Sequence, residues 1–229
     1  VYYKKSFEKS FFYVIIMQGD KKMKNYNLLV NDEELSDLIN TVDKVSNLVL
    51  GHGRGHTMFV VDTVEYILNR LGYDNHTVEL GKVAALLHDI GNLTGSSDHA
   101  LKSAEMSEYF LDKTTLTGYD KRMIIQAIRD HSDGVEIDTP FGAALLIADQ
   151  SDYKKDRVLL TITEDVWYKN LLEVEDIEVI VENDKIFINR MVTDKFCQHT
   201  MDKNKEAKEM YFLASDYLDC DLQLQTKSS

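Results

Sequence analysis

Apolar positions recur every three to four residues through most of the chain, a period that predicts a mainly helical protein. From Asp32 to Leu50 the apolar set Leu35, Leu38, Ile39, Val42, Val45, Leu48 and Val49 falls on one helical face, with Asn31 as candidate cap. Gly51-His52-Gly53-Arg54-Gly55 breaks that period, and a second helix is predicted from about His56 to Leu71, stopped by Gly72. The third, about Thr77 to His88, is apolar on several sides and is therefore expected to be central and buried. Gly91 to Ser97 reads as a loop, with Ser96 or Ser97 capping a helix through Leu111. Asp120 to His131 forms a fifth helix, and Pro140 leads into a helix from Phe141 to Asp152.

Beyond this point the period shortens. Ile177, Val179 and Val181 alternate with charged residues, Asn183-Asp184 supplies a turn, and Ile186, Ile188 and Met191 follow, the signature of a hairpin. A last helix is predicted over Lys195 to Leu218. The expected organisation is a helical domain over residues 23–165 and a small α+β appendage, hairpin plus helix, over 166–229. Residues 1–22 are set apart. They are aromatic and lysine-rich with little periodicity, and Gln18-Gly19-Asp20 ahead of Met23 back-translates to a bacterial ribosome-binding sequence. They read either as a translated leader or as an ordinary extension.

Composition narrows the function. The chain of 229 residues carries a net charge of −13. Most of its acid lies beyond the lysine-rich start, and such a body repels phosphate backbones, which argues against long nucleic acids as partners. Cys197 and Cys220 cannot make a disulfide framework and show no CxxC spacing. The apolar run Phe11 to Met17 is far short of a membrane span, so a cytoplasmic protein with no membrane partner is expected.

Candidate chemistry concentrates in His56, His88, Asp89, His99, His131 and Asp149. His88-Asp89 ends an apolar helix, just before Ile90-Gly91, where an imidazole and a carboxylate can share a metal at the helix end. Neutral imidazoles and carboxylates hold a divalent ion and leave positions open for water and substrate. Asp149 follows the apolar run Ala143 to Ala148, where an unpaired carboxylate would be costly and a cation is needed. His52, His76 and His199 show no partner pattern and read as ordinary residues. No GxSxG, P-loop or dinucleotide fingerprint competes.

His56, then Leu86-Leu87-His88-Asp89-Ile90-Gly91, then Ile147-Ala148-Asp149 resembles the HD superfamily of metal-dependent phosphohydrolases over about residues 50–157. The resemblance implies an all-helical core with metal at its centre, His56, His88, Asp89 and Asp149 as its ligands, and His88 and Asp89 at the heart of catalysis. Asp98-His99 and Asp130-His131 resemble the further histidines of two-metal members, which implies two divalent ions (Fe, Mn, Zn, Ni or Co) sharing Asp89. The implied activity is hydrolysis of a phosphate ester of a nucleotide or related small molecule by metal-activated hydroxide. Two departures stand out. Asn92 replaces a lysine that commonly follows the motif, and the doubled histidine of the cyclic-dinucleotide phosphodiesterase subgroup is absent. The segment Ala148-Asp149-Gln150-Ser151-Asp152 through Arg157, together with the appendage, resembles an uncharacterised bacterial subset. Lys154, Lys155, Arg157 and Arg54 are the candidate contacts for a substrate phosphate. A metal- or nucleotide-binding regulatory module with little turnover, its appendage serving as a partner or homodimer surface, is the rival reading. Oxidation at a two-iron centre is a third.

Overall fold

The structure, a computed structural model, describes residues 23–45, 49–94, 98–132, 136–159 and 165–228. The leader or extension over 1–22 and the caps expected at Ser96 or Ser97 lie outside the described residues.

In chain order the helices are α1 (Lys24–Val30), α2 (Glu33–Val45), α3 (Arg54–Arg70), α4 (Asn75–Leu87), a 3₁₀ turn (Ile90–Thr94), α5 (His99–Asp112), α6 (Gly118–Asp130) and α7 (Pro140–Ser151). A second 3₁₀ turn (Lys155–Arg157) and α8 (Val166–Leu171) lead to β1 (Val174–Glu182), β2 (Lys185–Val192), α9 (Gln198–Met201), α10 (Lys205–Tyr217) and β3 (Asp221–Ser228). The molecule is mainly helical, with a three-stranded sheet confined to the C-terminal part. Among the described residues no helix is long and apolar enough to cross a membrane.

The two most apolar segments of the sequence become the centre. Every residue of α4 from Val78 to Leu87 is buried, as is α7 from Phe141 to Ala148. α3 packs on both, and α6 on both, so each chemistry-bearing helix end is fixed by a shared core. Caps set the starts: Asp74 accepts from Thr77 N for α4, Thr117 and Asp120 form a reciprocal box at α6, and Thr139 accepts from Gly142 N beside Pro140 at α7.

Several boundaries differ from expectation. α2 is described as far as Val45, and Leu50, expected at its end, lies in a β-bridge instead; its start is capped by Asp32, whose Oδ1 accepts from Leu35 N at 3.0 Å, not by Asn31. α3 begins at Arg54, so the second and third glycines of the 51–55 stretch flank its first residue. The single C-terminal helix divides into α9 and α10 because Asn204 accepts from Ala207 N at 3.1 Å and starts a new helix. β3 was not expected; it pairs parallel with β2, giving the order β1-β2-β3, while β1 and β2 form the predicted antiparallel hairpin. Its turn includes Asn183 at φ 55°, a left-handed conformation that asparagine tolerates. The appendage is tied to the helical part by the Tyr211 hydroxyl on Gln150 O and by Arg70 on Val181 O.

Gly91 shows how tightly the site end is built. A Cβ there would lie 2.4 Å from His99 O and 2.5 Å from Ser103 N, both backbone atoms of α5. Glycine is thus what lets α5 press on the 3₁₀ turn that follows Asp89. Gly91→Ala is expected to push α5 away and to cost about 1–3 kcal/mol by overpacking, lowering the thermal unfolding midpoint by several degrees. An unchanged midpoint would show that α5 yields without cost.

Candidate metal centre

Asp89 sits between two groups of imidazoles, each of its oxygens serving one of them. Oδ2 lies 2.6 Å from His52 Nδ1 and 3.3 Å from the Nε2 atoms of both His56 and His88. Oδ1 lies 3.5 Å from His131 Nε2 and 3.8 Å from His99 Nε2, and accepts from Asn92 Nδ2 at 2.8 Å. Asp149 joins on the first side, its Oδ1 3.1 Å from His56 Nε2. Helix ends deliver these groups: His56 from the first turn of α3, His88-Asp89 just past α4, His99 at the start of α5, His131 just past α6, and Asp149 in the last turn of α7.

The outward nitrogens are tied down. His88 Nδ1 is 2.7 Å from Ala85 O, His131 Nδ1 is 2.6 Å from Ile128 O, and His56 Nδ1 is 2.9 Å from Asp152 Oδ2. A carbonyl or carboxylate oxygen only accepts, so each of these Nδ1 atoms carries the proton, and each neutral ring turns its Nε2 lone pair inward. Those lone pairs converge on carboxylate oxygens and on one another, His56 Nε2 standing 3.2 Å from His88 Nε2. Lone pair against lone pair is repulsive unless a cation lies between. The sets His56-His88-Asp149 and His88-Asp89-His131 each bring their donor atoms within 4.8 Å of one another, as does His52-His56-Asp89. Imidazole and carboxylate donors, with an acceptor on the outer nitrogen of His56, His88 and His131, fit a divalent metal.

Protons fill that role when metal does not. Burial and the Arg157 guanidinium push the His56 imidazolium down, but hydrogen bonds to Asp149, Asp152 and Asp89 outweigh them and raise it to about 10. For His131 burial is likewise overcome by Asp89, and its value is raised. Burial opposes ionisation of Asp89, yet the histidines around it, His88 and His52 foremost, hold its carboxyl well below the usual range. His99 moves the other way, lowered chiefly by burial.

Of the ten residues singled out in the sequence, six meet here: His56, His88, Asp89, His99, His131 and Asp149. The four basic residues divide. Arg157, expected as a phosphate contact, is instead buried: Nε donates to Gly51 O at 2.8 Å, Nη1 reaches Asp152 O at 3.4 Å, and Nε lies 3.9 Å from Asp152 Oδ2. Its fork spans two carbonyls and a carboxylate, which leaves it a clamp. Lys154 Nζ is 3.6 Å from Asp152 Oδ1, beside the His56 support. Lys155 Nζ lies 3.8 Å from Glu175, and exposed Arg54 reaches Ser36 Oγ at 3.4 Å, both apart from the cluster.

Three participants escaped the sequence reading. His52, taken as ordinary, holds Asp89. Asp152 orients His56. Asp43 accepts from His52 N at 2.7 Å and Gly53 N at 2.8 Å, fixing the loop that carries His52. A Cβ at 53 would stand 2.4 Å from Asp43 Oδ2, so any side chain there displaces the carboxylate that holds the loop. The spacing of His52 four residues before His56 was a readable signal; Asp43 had none.

Residues 53–159 match the family model described as the HD domain. Among solved structures, a predicted HD superfamily hydrolase from an uncultured Thermotogales bacterium is similar at 19% sequence identity, covering 82% of this chain and 88% of that one, with a TM-score of 0.46. No curated protein matches the chain.

Because His56 is protonated in the metal-free state up to about pH 10, metal must displace its proton. Calorimetric titration with Mn²⁺ or Zn²⁺ in buffers of different ionisation enthalpy is expected to show proton release. Apparent affinity should fall up to about tenfold per pH unit per proton as pH drops from about 9 to 6. Affinity flat across that range would contradict the ligand role of His56. Asp152→Asn should weaken metal binding by about 10–100-fold, the usual loss when a ligand's outer partner is removed.

Proposed function

We propose that residues 53–159, which match the HD-domain model, form a metal-dependent phosphohydrolase domain, and that it hydrolyses a phosphate ester of a small molecule, a nucleotide or a relative of one, at a two-metal centre. The observation that carries the reading is the division of Asp89, one oxygen turned to His52, His56 and His88 and the other to His99 and His131. A carboxylate so placed suits a bridge between two ions. His56, His88 and Asp149 would hold one, His99 and His131 the other. Bound metal supplies Lewis acidity toward phosphate and a water of lowered pKa.

The chain's own residues do the positioning. Asp152, Ala85 O and Ile128 O hold the Nδ1 side of three imidazoles, so the rings are oriented before metal or substrate arrives and loss of a proton from Nε2 exposes each donor. Asn92 donates to Asp89 Oδ1 and holds the carboxylate plane while leaving its charge in place. With the amide thus engaged, the position next to the motif offers substrate no cation. Lys154, close to the Asp152–His56 pair, is our candidate for the phosphate contact. The regulatory-module reading draws support from the same amide, because a weak phosphate anchor lowers turnover more than metal binding.

The experiment is phosphate release from a panel of nucleotides and sugar phosphates by protein purified without chelator, alongside Asp89→Asn and Lys154→Ala. Asp89→Asn is expected to lower kcat by at least about 10³-fold, and Lys154→Ala to raise KM by about tenfold with kcat less affected. Chelation should abolish release and metal should restore it. Activity that survives both Asp89→Asn and chelation would sink the proposal; full metal occupancy with no turnover on the panel would favour the regulatory module.

A further inference from the structure

An open cleft of about 410 Å³ lies between the helical part and the appendage, lined by Leu50, Tyr153, Trp167, Tyr168, Lys203 and Asn204. Three of these are aromatic. Tyr153 and Trp167 meet at 5.2 Å between centroids and 79°, and Trp167 and Tyr168 meet at 5.2 Å and 79°. Rings set at right angles in this way form walls rather than a stack. Asn204 spends its Oδ1 on Ala207 N, which leaves its amide NH₂ as a donor, and Lys203 adds an ammonium at the exposed rim.

Chain connectivity sets this cleft beside the metal centre. Tyr153 directly follows Asp152, and Leu50 precedes His52 by two residues. At 3.8 Å per residue these Cα atoms lie within about 4 and 8 Å of each other in the two cases. Arg157 ties the two segments together through Gly51 O and Asp152 O.

The chemistry selects among occupants. Aromatic walls alone also suit a quaternary ammonium, but Lys203 on the rim repels a cation and favours an anionic ligand. Walls that can stack, the amide donor of Asn204 and an ammonium at the mouth fit a planar heteroaromatic ring that bears ring nitrogens or carbonyls and leads to a phosphate. We propose that this cleft binds a heteroaromatic ring of nucleobase size belonging to the substrate of the metal centre, and that supplying it is the role of the appendage. The pocket stands on its own residues; its assignment to the substrate rests on the hydrolase reading.

Trp167 is the only tryptophan in the chain, so its fluorescence reports on this cleft directly. Full-length protein is titrated with adenosine, guanosine, cytidine, uridine, their monophosphates, and ribose phosphate, and phosphate release is followed in parallel. At least one nucleoside and its monophosphate are expected to change the emission saturably, while ribose phosphate does not. Tyr168→Leu, which keeps apolar bulk, should weaken that binding about tenfold. Asn204→Asp, which keeps the cap oxygen and removes the donor, should weaken it about fivefold. The pocket is overturned if no nucleoside alters the emission, or if ribose phosphate does so equally well. Phosphate release from a nucleotide without any change in emission likewise overturns the pocket and leaves the hydrolase reading intact. Saturable quenching without phosphate release supports the pocket and counts against the hydrolase reading instead.

Discussion

A buried carboxylate ringed by imidazoles is the constraint around which this structure is organised. Asp89 is 3% exposed, and an isolated charge at that depth would cost several kcal/mol. Five histidines and one amide meet that cost from separate elements: the 52–56 segment, the end of α4, α5 and α6, with Asn92 from the 3₁₀ turn. No one of these positions is stabilised by its own helix. Each is held because the helices carrying it share the α4–α7 core, so packing accuracy in an apolar interior becomes accuracy of donor placement.

The cluster is also braced from outside. Ala85 O and Ile128 O are carbonyls left over at the ends of α4 and α6, groups that every helix end must satisfy somehow. Here the imidazole one turn later accepts that duty, and its tautomer is decided as a by-product. Asp152 does the same for His56 from beyond α7, and Arg157 and Asp43 secure the loop between α2 and α3. The outer layer is therefore built largely from obligations of the backbone that the fold had to meet in any case.

Which parts could be read from the sequence follows from this division. His56, His88, Asp89, His99, His131 and Asp149 stand at helix ends next to apolar runs, and periodicity locates such ends. The α4 and α7 cores were legible for the same reason, since helices apolar on several sides have few places to go except the centre. Asp152 and Asp43 were not legible, because a carboxylate on a polar stretch looks the same whether it faces water or a histidine far away in sequence. For Arg157 charge alone suggested phosphate, whereas its guanidinium is buried against Gly51 O and Asp152 O, partners distant in sequence or hidden in a turn. In the appendage, the hairpin announced itself through alternation and a turn. β3 did not, because Leu222 and Leu224 alternate over too short a span, and its parallel pairing with β2 is a long-range matter. The break between α9 and α10 turned on one side-chain oxygen, that of Asn204, outweighing a continuous helical period.

The close seat of Asp43 on Gly53 carries a consequence for sequence variation. The aspartate occupies the space in which any side chain at 53 would begin, and its carboxylate holds the backbone there. A larger residue at 53 requires Asp43 to leave, and an Asp43 that leaves unfastens the loop bearing His52. The two positions are thus expected to change together or not at all among descendants of this chain, a linkage between two residues of which neither has a place among the metal's own ligands.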